Sequence, residues 1–184
     1  ENQPSMAQWN LARFAEALLP LIHSEVEQAV ALAQGAITSF GEIFEKYWLN
    51  MMRKKLGILT EETQDQSLIN ELLSWMQSNK ADYTNTFRSL SLSLTAKQEI
   101  FSDKSFLHWY QQWLSRLDRQ PHSFQESVNV MQAHNPTLIP RNHKVEEALQ
   151  LATDARNFSA FHRMLQALSQ PYVENPCHKE YQMV

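Results

Sequence analysis

Residues 135–149 read NPTLIPRNHKVEEAL, and this stretch contains the signals that decide the fold of the whole chain. Two prolines frame a short apolar connector, and the polar run Arg141, Asn142 and His143 follows it. Proline interrupts a helix because it lacks an N–H donor, whereas a polar residue such as Asn142 favours the start of the next helix. The stretch therefore predicts two helices joined by a short connector.

Similar helix-ending and helix-starting residues recur along the sequence and predict an all-α fold. Apolar residues repeat at helical spacing in one segment after another, and no segment sustains the period of two that is typical of strands. The short run SLSLSL, residues 89–94, is the one place where a strand could form. The chain has only 3 glycines, whereas sheet proteins with tight hairpins use many. Predicted helices begin near Pro4, Glu25, Phe44, Asp65, Asp82, Asp103, Ser123, Asn142 and Phe158.

Local residues also predict how individual helices begin and end. Gly57 follows three cations, residues 53–55, and cations near the negative end of the helix dipole followed by glycine form a common helix ending. The helix that begins near Glu25 is expected to end at Ile37, and the last helix before Pro171. We expect an irregular multi-helix domain over residues 1–184, with any subdivision in the polar segment 57–66. The residues expected to cap helix starts are Asp65, Asp82, Asp103, Ser123 and Asn142.

Composition excludes several classes of function. The net charge of -4 gives no reason to expect nucleic acid or an anionic membrane as a partner, since both call for a basic surplus. The isolated glycines cannot form a phosphate-binding loop. A single cysteine, Cys177, cannot form an internal disulfide. No apolar run approaches the roughly 18 residues of a membrane span, and no signal peptide is recognisable, so we expect a cytoplasmic location.

The sequence offers few candidates for chemistry. His143 is followed by Glu146 and Glu147 at helical spacing, which could hold one set of metal ligands, but such a group more often makes surface interactions. A nucleophilic Cys177 would need a positioned base, and its neighbour His178 says little about geometry.

Two further groups of residues are expected to be structural. The aromatic residues Trp109, Tyr110 and Trp113 could stack on nucleobases, but without interleaved cations they are expected to form core. Adjacent carboxylates such as Glu61 and Glu62 diverge by about 100° on a helix, so we interpret them as solvated charges.

Arg141 is the residue that the local sequence does not explain. It stands at a predicted helix start, where the dipole is positive and a cation is unfavourable. A carboxylate or several carbonyls elsewhere in the fold must compensate. Arg141, Asn142 and His143 are therefore candidates for a structural anchor, or alternatively for an anion or partner contact.

Four segments resemble the selenoprotein O family in family order. NQPSMAQWNLARFAEALLPL, residues 2–21, resembles its Asn-Gln-Pro segment, and LLSWMQSNKADYTNTFRSLS, residues 72–91, resembles its Asp-Tyr-Thr and Phe-Arg-x-Leu segment. NPTLIPRNHKVEEAL and FSAFHRMLQALSQPY, residues 135–149 and 158–172, are similar to its C-terminal part. Residues 92–120 match less.

The resemblance implies late C-lobe helices and the helical C-terminal extension of a kinase-like fold. Members transfer AMP from ATP to protein hydroxyl side chains with Mg²⁺ or Mn²⁺, and their ATP- and metal-binding residues precede the Asn-Gln-Pro segment. This chain begins at that segment, so we expect part of a longer chain without catalytic, cofactor-binding or metal residues. Its implied partners are the missing N-terminal catalytic half and the parent's protein substrates. The alternative is a stand-alone helical interaction module without enzymatic activity.

The first predicted helix is apolar around most of its girth. Met6, Trp9, Leu11, Phe14, Leu18 and Leu19 do not fit on one narrow face. A helix of this kind is normally buried on several sides. We therefore expect an exposed apolar patch around Trp9 and Phe14, or a homodimer or a rearranged N-terminus that hides it.

Overall fold

The structure, a computed structural model, describes residues 3–96 and 103–183, and all regular structure within them is helical. The predicted all-α fold class is therefore confirmed. Residues 89–94, where a strand could have formed, lie inside the fourth helix. The elements are α1 Gln3–Ile22, α2 Val26–Lys55, α3 Asp65–Asn79, α4 Tyr83–Ala96, α5 Lys104–Asp118, α6 Phe124–His134, α7 Asn142–Ala155, α8 Ser159–Leu168 and a 3₁₀ helix Pro176–Tyr181.

The chain separates into two compact units, residues 1–51 and 52–184. The division falls inside α2, and segment 57–66 belongs to the second unit. None of the described helices is long and apolar enough to cross a membrane.

The first unit is a hairpin of α1 and α2. Pro4 lies in the first turn of α1, where the missing N–H costs nothing. Gln8 donates from its side-chain amide to the carbonyl of Ile37 at 3.4 Å, which fixes how the two antiparallel helices lie side by side. Among the described residues 3–51, Ala29 alone is buried. Trp9 and Phe14 are exposed, as predicted.

The prediction of two separate helices over residues 25–57 is wrong, because α2 is continuous from Val26 to Lys55. Gly35 and Gly41 lie within it, and a Cβ at either position would meet nothing within 4 Å. A glycine in a helix interior lowers helix stability by only about 1 kcal/mol relative to alanine. The apolar residues on either side of the two glycines are therefore sufficient to keep α2 continuous.

The second unit has the larger core. Helix α3 packs on α5, α5 on α6, α6 on α4, and α7 on α8. Trp109 and Trp113 are buried, which confirms the prediction that they form core. Their indole N–H groups donate to the carbonyls of Leu68 at 2.8 Å and Leu56 at 2.9 Å. A cluster around α7 and α8 contains Leu138, Ala148, Ala160, Met164, Ala167 and Tyr181.

Most of the predicted helix ends are found where local chemistry placed them. Gly57 has φ +69°, and the N–H groups of Gly57 and Ile58 donate to the carbonyls of Lys54 at 3.1 Å and Arg53 at 2.9 Å. This pattern is a Schellman ending, which requires the left-handed conformation that glycine adopts freely. Asp103 caps α5, and Ser123 caps α6 within a capping box.

Candidate functional site

Arg141 is held by a carboxylate of this chain. Its Nη1 and Nη2 donate to Oδ2 and Oδ1 of Asp82 at 2.7 and 2.9 Å, and the Arg141 side chain is only 11% exposed. Two parallel N–H···O bonds to one carboxylate form the strong, directional arrangement that arginine favours. The compensating carboxylate that the sequence required is therefore Asp82, 59 residues earlier in the chain.

Asp82 serves two helices at once. Its Oδ1 also accepts from the N–H of Asn85 at 2.8 Å, which caps the start of α4 as the sequence predicted. The hydrogen bond from Arg141 is the main reason why the pKa of Asp82 is lowered, although burial opposes it. The same contact raises the pKa of Arg141. The pair thus joins the beginning of α4 to the beginning of α7.

The other two residues of the predicted group lie differently. Asn142 is the first residue of α7 and makes no capping hydrogen bond, so the prediction that it caps the helix is wrong. The helix begins one residue earlier than the cap signal implied, with Arg141 in the extended N-cap conformation and its carbonyl accepting from Val145. The side chains of Asn142 and His143 are exposed and form no hydrogen bond or ion pair with other described residues.

The connector that precedes Arg141, residues 135–140, is also held at its N-terminal end. The side-chain amide of Asn135 donates to the carbonyl of Lys55 at 2.8 Å, and Lys55 Nζ donates to the carbonyl of His134 at 3.1 Å. Burial lowers the pKa of Lys55. Between these ends, the N–H of Thr137 donates to the carbonyl of Pro171 at 2.7 Å. Residues 135–141 are therefore fixed by contacts with three distant segments.

One face of α4 collects these contacts. Residues spaced three apart lie near one another on one face of a helix. We use the name α4 polar face for Asp82, which immediately precedes α4, and for Asn85 and Arg88. Arg88 Nη1 donates to the carbonyl of Thr137 at 3.0 Å, and its Nη2 donates to Glu174. Asn85 donates to the carbonyl of Gln182 at 3.3 Å. The face thus binds the connector, the start of α7 and the C-terminal segment.

A second polar centre is buried around Asp65. Its Oδ2 accepts from Nε of Arg53 and its Oδ1 from Nε of Arg116, both at 2.7 Å, and Asp65 is fully buried. Burial alone would raise the pKa of Asp65, but the hydrogen bonds from Arg116, the backbone of Glu62 and Arg53 outweigh it, so the pKa is lowered. One carboxylate therefore joins the end of α2, the start of α3 and α5.

The sequence did not reveal this centre. The prediction that Asp65 caps α3 is wrong, because Asp65 lies within the helix and Gln64 occupies the cap position. Arg53 lies in the last turn of α2, as the helix-ending pattern predicts, but it is buried and pairs with Asp65. The partners Arg116 and Asp65 are 51 residues apart, so no local spacing brings them together.

Glu61 and Glu62, which lie close to this centre, differ in their contacts and exposure. Glu62 Oε2 accepts from Arg119 at 2.8 Å, and this hydrogen bond is the main reason why the pKa of Glu62 is lowered. Glu62 Oε1 also lies 3.3 Å from Nη1 of Arg116. The side chain of Glu61 is 78% exposed. The interpretation of both residues as solvated charges is correct for Glu61 and wrong for Glu62.

Both polar centres are suited to holding helices in place. Asp65 joins Arg53 and Arg116, and Asp82 joins Arg141, so in each centre the oxygens of one carboxylate accept from arginine of a distant segment. Arg116 Nη1 and Arg141 Nε are buried without a hydrogen-bond partner. In residues 3–96 and 103–183, no group of three histidine, cysteine, aspartate or glutamate residues could hold a metal ion. Cys177 is exposed in the 3₁₀ helix. The geometry is that of an all-helical scaffold.

Sequence comparison gives this scaffold a family. The family model described as Protein adenylyltransferase SelO matches residues 1–169, which is most of the chain. The chain belongs to this family, and the predicted resemblance is confirmed.

Curated relatives match nearly the whole chain. Protein nucleotidyltransferase YdiU of Nitrosococcus oceani is 47% identical over 180 residues, which is 98% of this chain and 36% of the relative. The protein of the same name from Syntrophotalea carbinolica is 48% identical over 97% of this chain and 36% of its own length. That from Bacillus cytotoxicus is 46% identical over 100% and 37%. The chain therefore spans little more than a third of the relatives it matches.

Proposed function

We propose that this chain is the helical C-terminal part of a protein adenylyltransferase, and that its own role is structural. The observation that carries the proposal is the family match over residues 1–169, together with relatives that are named protein nucleotidyltransferases and of which the chain spans 36–37%. The parent would transfer AMP from ATP to hydroxyl side chains of protein substrates. The helices of this chain would be late C-lobe helices and the extension of a kinase-like fold.

The polar centres support a structural role. The buried Arg53–Asp65–Arg116 group and the Arg141–Asp82 pair are engaged with each other, and neither leaves an unpaired acid beside a base that could activate a nucleophile. A misplacement of about 1 Å in a supporting shell can lower the rate of a distant reaction considerably. The function of these contacts would be to hold the helices on which the catalytic part rests.

ATP and Mg²⁺ or Mn²⁺ are assigned to the rest of the protein. The three glycines of this chain are isolated, and the described residues offer no group of three potential metal ligands. Both observations support a nucleotide site and a metal site outside residues 1–184.

The proposal is tested with two polypeptides, the full-length protein and residues 1–184. Each is incubated with ATP labelled at the α-phosphate, a divalent metal and an acceptor protein, and nucleotide binding is measured by calorimetry. We expect AMP transfer by the full-length protein only, and no ATP binding by residues 1–184. Micromolar binding of ATP to residues 1–184, or AMP transfer by them, would show that the site lies in this chain.

The stand-alone interaction module is the competing function. The exposed apolar residues of the first unit, including Trp9 and Phe14, are the observation that favours it. A reading frame with a kinase-like lobe encoded before Glu1 supports the adenylyltransferase, and a start codon at that point supports the module.

A further inference from the structure

Helix α2 carries an apolar seam with alternating spacings of four and three residues. This average spacing of 3.5 is typical of a helix that packs lengthwise against another helix. The seam continues without interruption along the part of α2 that lies in the first unit. Its residues are Val26, Val30, Ala33, Ile37, Phe40, Phe44, Tyr47 and Met51.

Helix α1 covers only part of this seam. Gln8 lies beside Ile37, and the helices are antiparallel, so Gln3 at the start of α1 is level with residue 42. The side chains of Ala33, Ile37 and Phe40, which face α1, are half-buried, whereas Val26 and Val30 at the start of the seam are 69% and 42% exposed.

The seam beyond residue 42 is exposed. Phe44, Tyr47 and Met51, which we call the seam end, are 38%, 69% and 41% exposed. Phe44 contacts the ring of Phe40 with centroids 6.1 Å apart, so the seam end continues the covered part directly. Helix α1 therefore packs against the middle of the seam, and no described helix of the first unit runs along the seam end.

The size of the seam end indicates what covers it. Nine residues, 43–51, extend about 13 Å along a helix, and three exposed side chains cannot bury the roughly 1,200 Å² that a specific complex of two proteins needs. A helix of the same polypeptide needs no such area, because the covalent connection supplies a high effective concentration. The relatives have that additional polypeptide, since this chain spans 36–37% of their length.

We propose that the seam end is covered by a helix of the same polypeptide that lies outside residues 1–184. This helix presents its own apolar residues at spacings of three and four and runs along α2 in line with α1. The inference rests on the proposed function in that it requires this chain to be part of a longer adenylyltransferase.

The contact is tested by photo-cross-linking in the full-length protein. Benzoylphenylalanine is introduced at Tyr47, and in a control protein at Glu42, which is exposed on the side of α2 opposite the seam. We expect a cross-link from position 47, and none from position 42, to a helical segment of the same chain outside residues 1–184. A cross-link to a second copy, a cross-link only within residues 1–184, or no cross-link above the control would overturn the inference.

A pair of substitutions tests the same contact without a cross-linker. Phe44→Gln with Tyr47→Gln should lower the melting temperature of the full-length protein clearly more than that of residues 1–184, where the Phe40–Phe44 contact is lost, whereas Glu42→Gln should change neither. If the double substitution lowers the melting temperature of the full-length protein no more than that of residues 1–184, the inference is wrong. AMP transfer is measured separately. If the full-length protein transfers AMP but position 47 forms no cross-link, the seam inference alone is wrong. If position 47 forms the cross-link but the full-length protein does not transfer AMP, the proposed function alone is wrong.

Discussion

The two units of the chain differ in how much of their apolar sequence they bury. Among the described residues of the first unit, Ala29 alone is buried, and α1 contains no buried residue. The second unit buries large side chains such as Phe87, Trp113 and Met131, and with them the charged residues Asp65 and Arg116. Apolar sequence is present in both units, so the difference lies in the partners available to it.

This difference shows which part of the chain specifies its own structure. Helices α3 to α8 close a core around themselves, and buried ion pairs fix how the helices meet. The hairpin of α1 and α2 has the apolar pattern of an interior element but only one helix to pack against. A helix that is apolar around most of its girth is normally buried on several sides. We therefore expect the first unit to depend on further polypeptide more than the second.

The comparison is tested most strongly by the same substitution in each unit. Phe87 is 1% exposed and Phe14 is 62% exposed. Phe87→Ala should lower the free energy of unfolding by about 3–5 kcal/mol because it leaves a cavity, whereas Phe14→Ala should change it by less than about 0.5 kcal/mol. Urea unfolding of residues 1–184 measures both. Similar losses at the two positions would mean that the first unit also has a closed core.

The next effect is expected at the buried charges of the second unit. Asp65→Asn removes the fully buried countercharge that Arg53 and Arg116 share, and breaking a buried ion pair from one side costs about 3–5 kcal/mol. The matched control is Glu61→Gln, because Glu61 approaches Arg53 to 3.4 Å but its side chain is 78% exposed. It should cost no more than about 1 kcal/mol. If Asp65→Asn melts like the unsubstituted chain, this centre does not hold the helices together.

Arg141→Ala should have a smaller effect, about 1.5–3 kcal/mol, because it removes a charge-assisted pair that is only partly buried. Arg141→Lys should restore part of the loss, since lysine keeps the charge but cannot form both bonds. Lys144→Ala is the control, because the Lys144–Glu147 pair lies on an exposed helix surface and is worth about 0.2–0.5 kcal/mol. An unchanged melting curve for Arg141→Ala would favour a partner contact over an anchor.

The same pair gives the stability of the chain an acid dependence. The pKa of Asp82 is lowered in the folded protein, so its ionised form stabilises the fold at pH above the unfolded value, which is about 3.9. This contribution is lost as the pH falls through the lowered folded pKa. The loss of stability below about pH 4 should therefore be shallower in Arg141→Ala than in the unsubstituted chain, when followed by urea unfolding.

The smallest effects are expected at glycines, with opposite signs in the two units. Gly57→Ala should cost roughly 1–2 kcal/mol because φ is +69°, and its Cβ would also lie 3.0 Å from Met131 and Ser127. Gly41→Ala should stabilise the chain by about 0.5–1 kcal/mol, since Gly41 lies in open space within α2. Thermal unfolding of both variants checks the signs, and destabilisation by Gly41→Ala would indicate a close neighbour at that position.

The sequence predicted those features that depend on neighbouring residues. The caps at Asp103 and Ser123 and the ending at Gly57 were predicted because each signal lies within one helical turn of the backbone groups that it satisfies. The continuity of α2 was missed, because Gly35 and Gly41 weaken a helix locally without ending it.

The polar centres could be predicted only in part. The position of Arg141 at a helix start required a compensating acid, but nothing near it in sequence identified Asp82. The local sequence predicts that Asp65 caps α3, but its carboxylate instead binds two buried arginines, Arg53 and Arg116. Contacts between residues 51 and 59 positions apart depend on the packing of whole helices, and no local pattern specifies them.

Hydrogen exchange of residues 1–184, compared with that of the full-length protein, tests the central claim most directly. Amides of α3, α5 and α6 should exchange at equal rates in the two proteins, because the second unit closes its own core. Amides of α1 and of residues 43–51 should exchange much more slowly in the full-length protein, where further polypeptide covers them. Equal exchange of the hairpin in both proteins would contradict the account and show that the first unit is complete by itself.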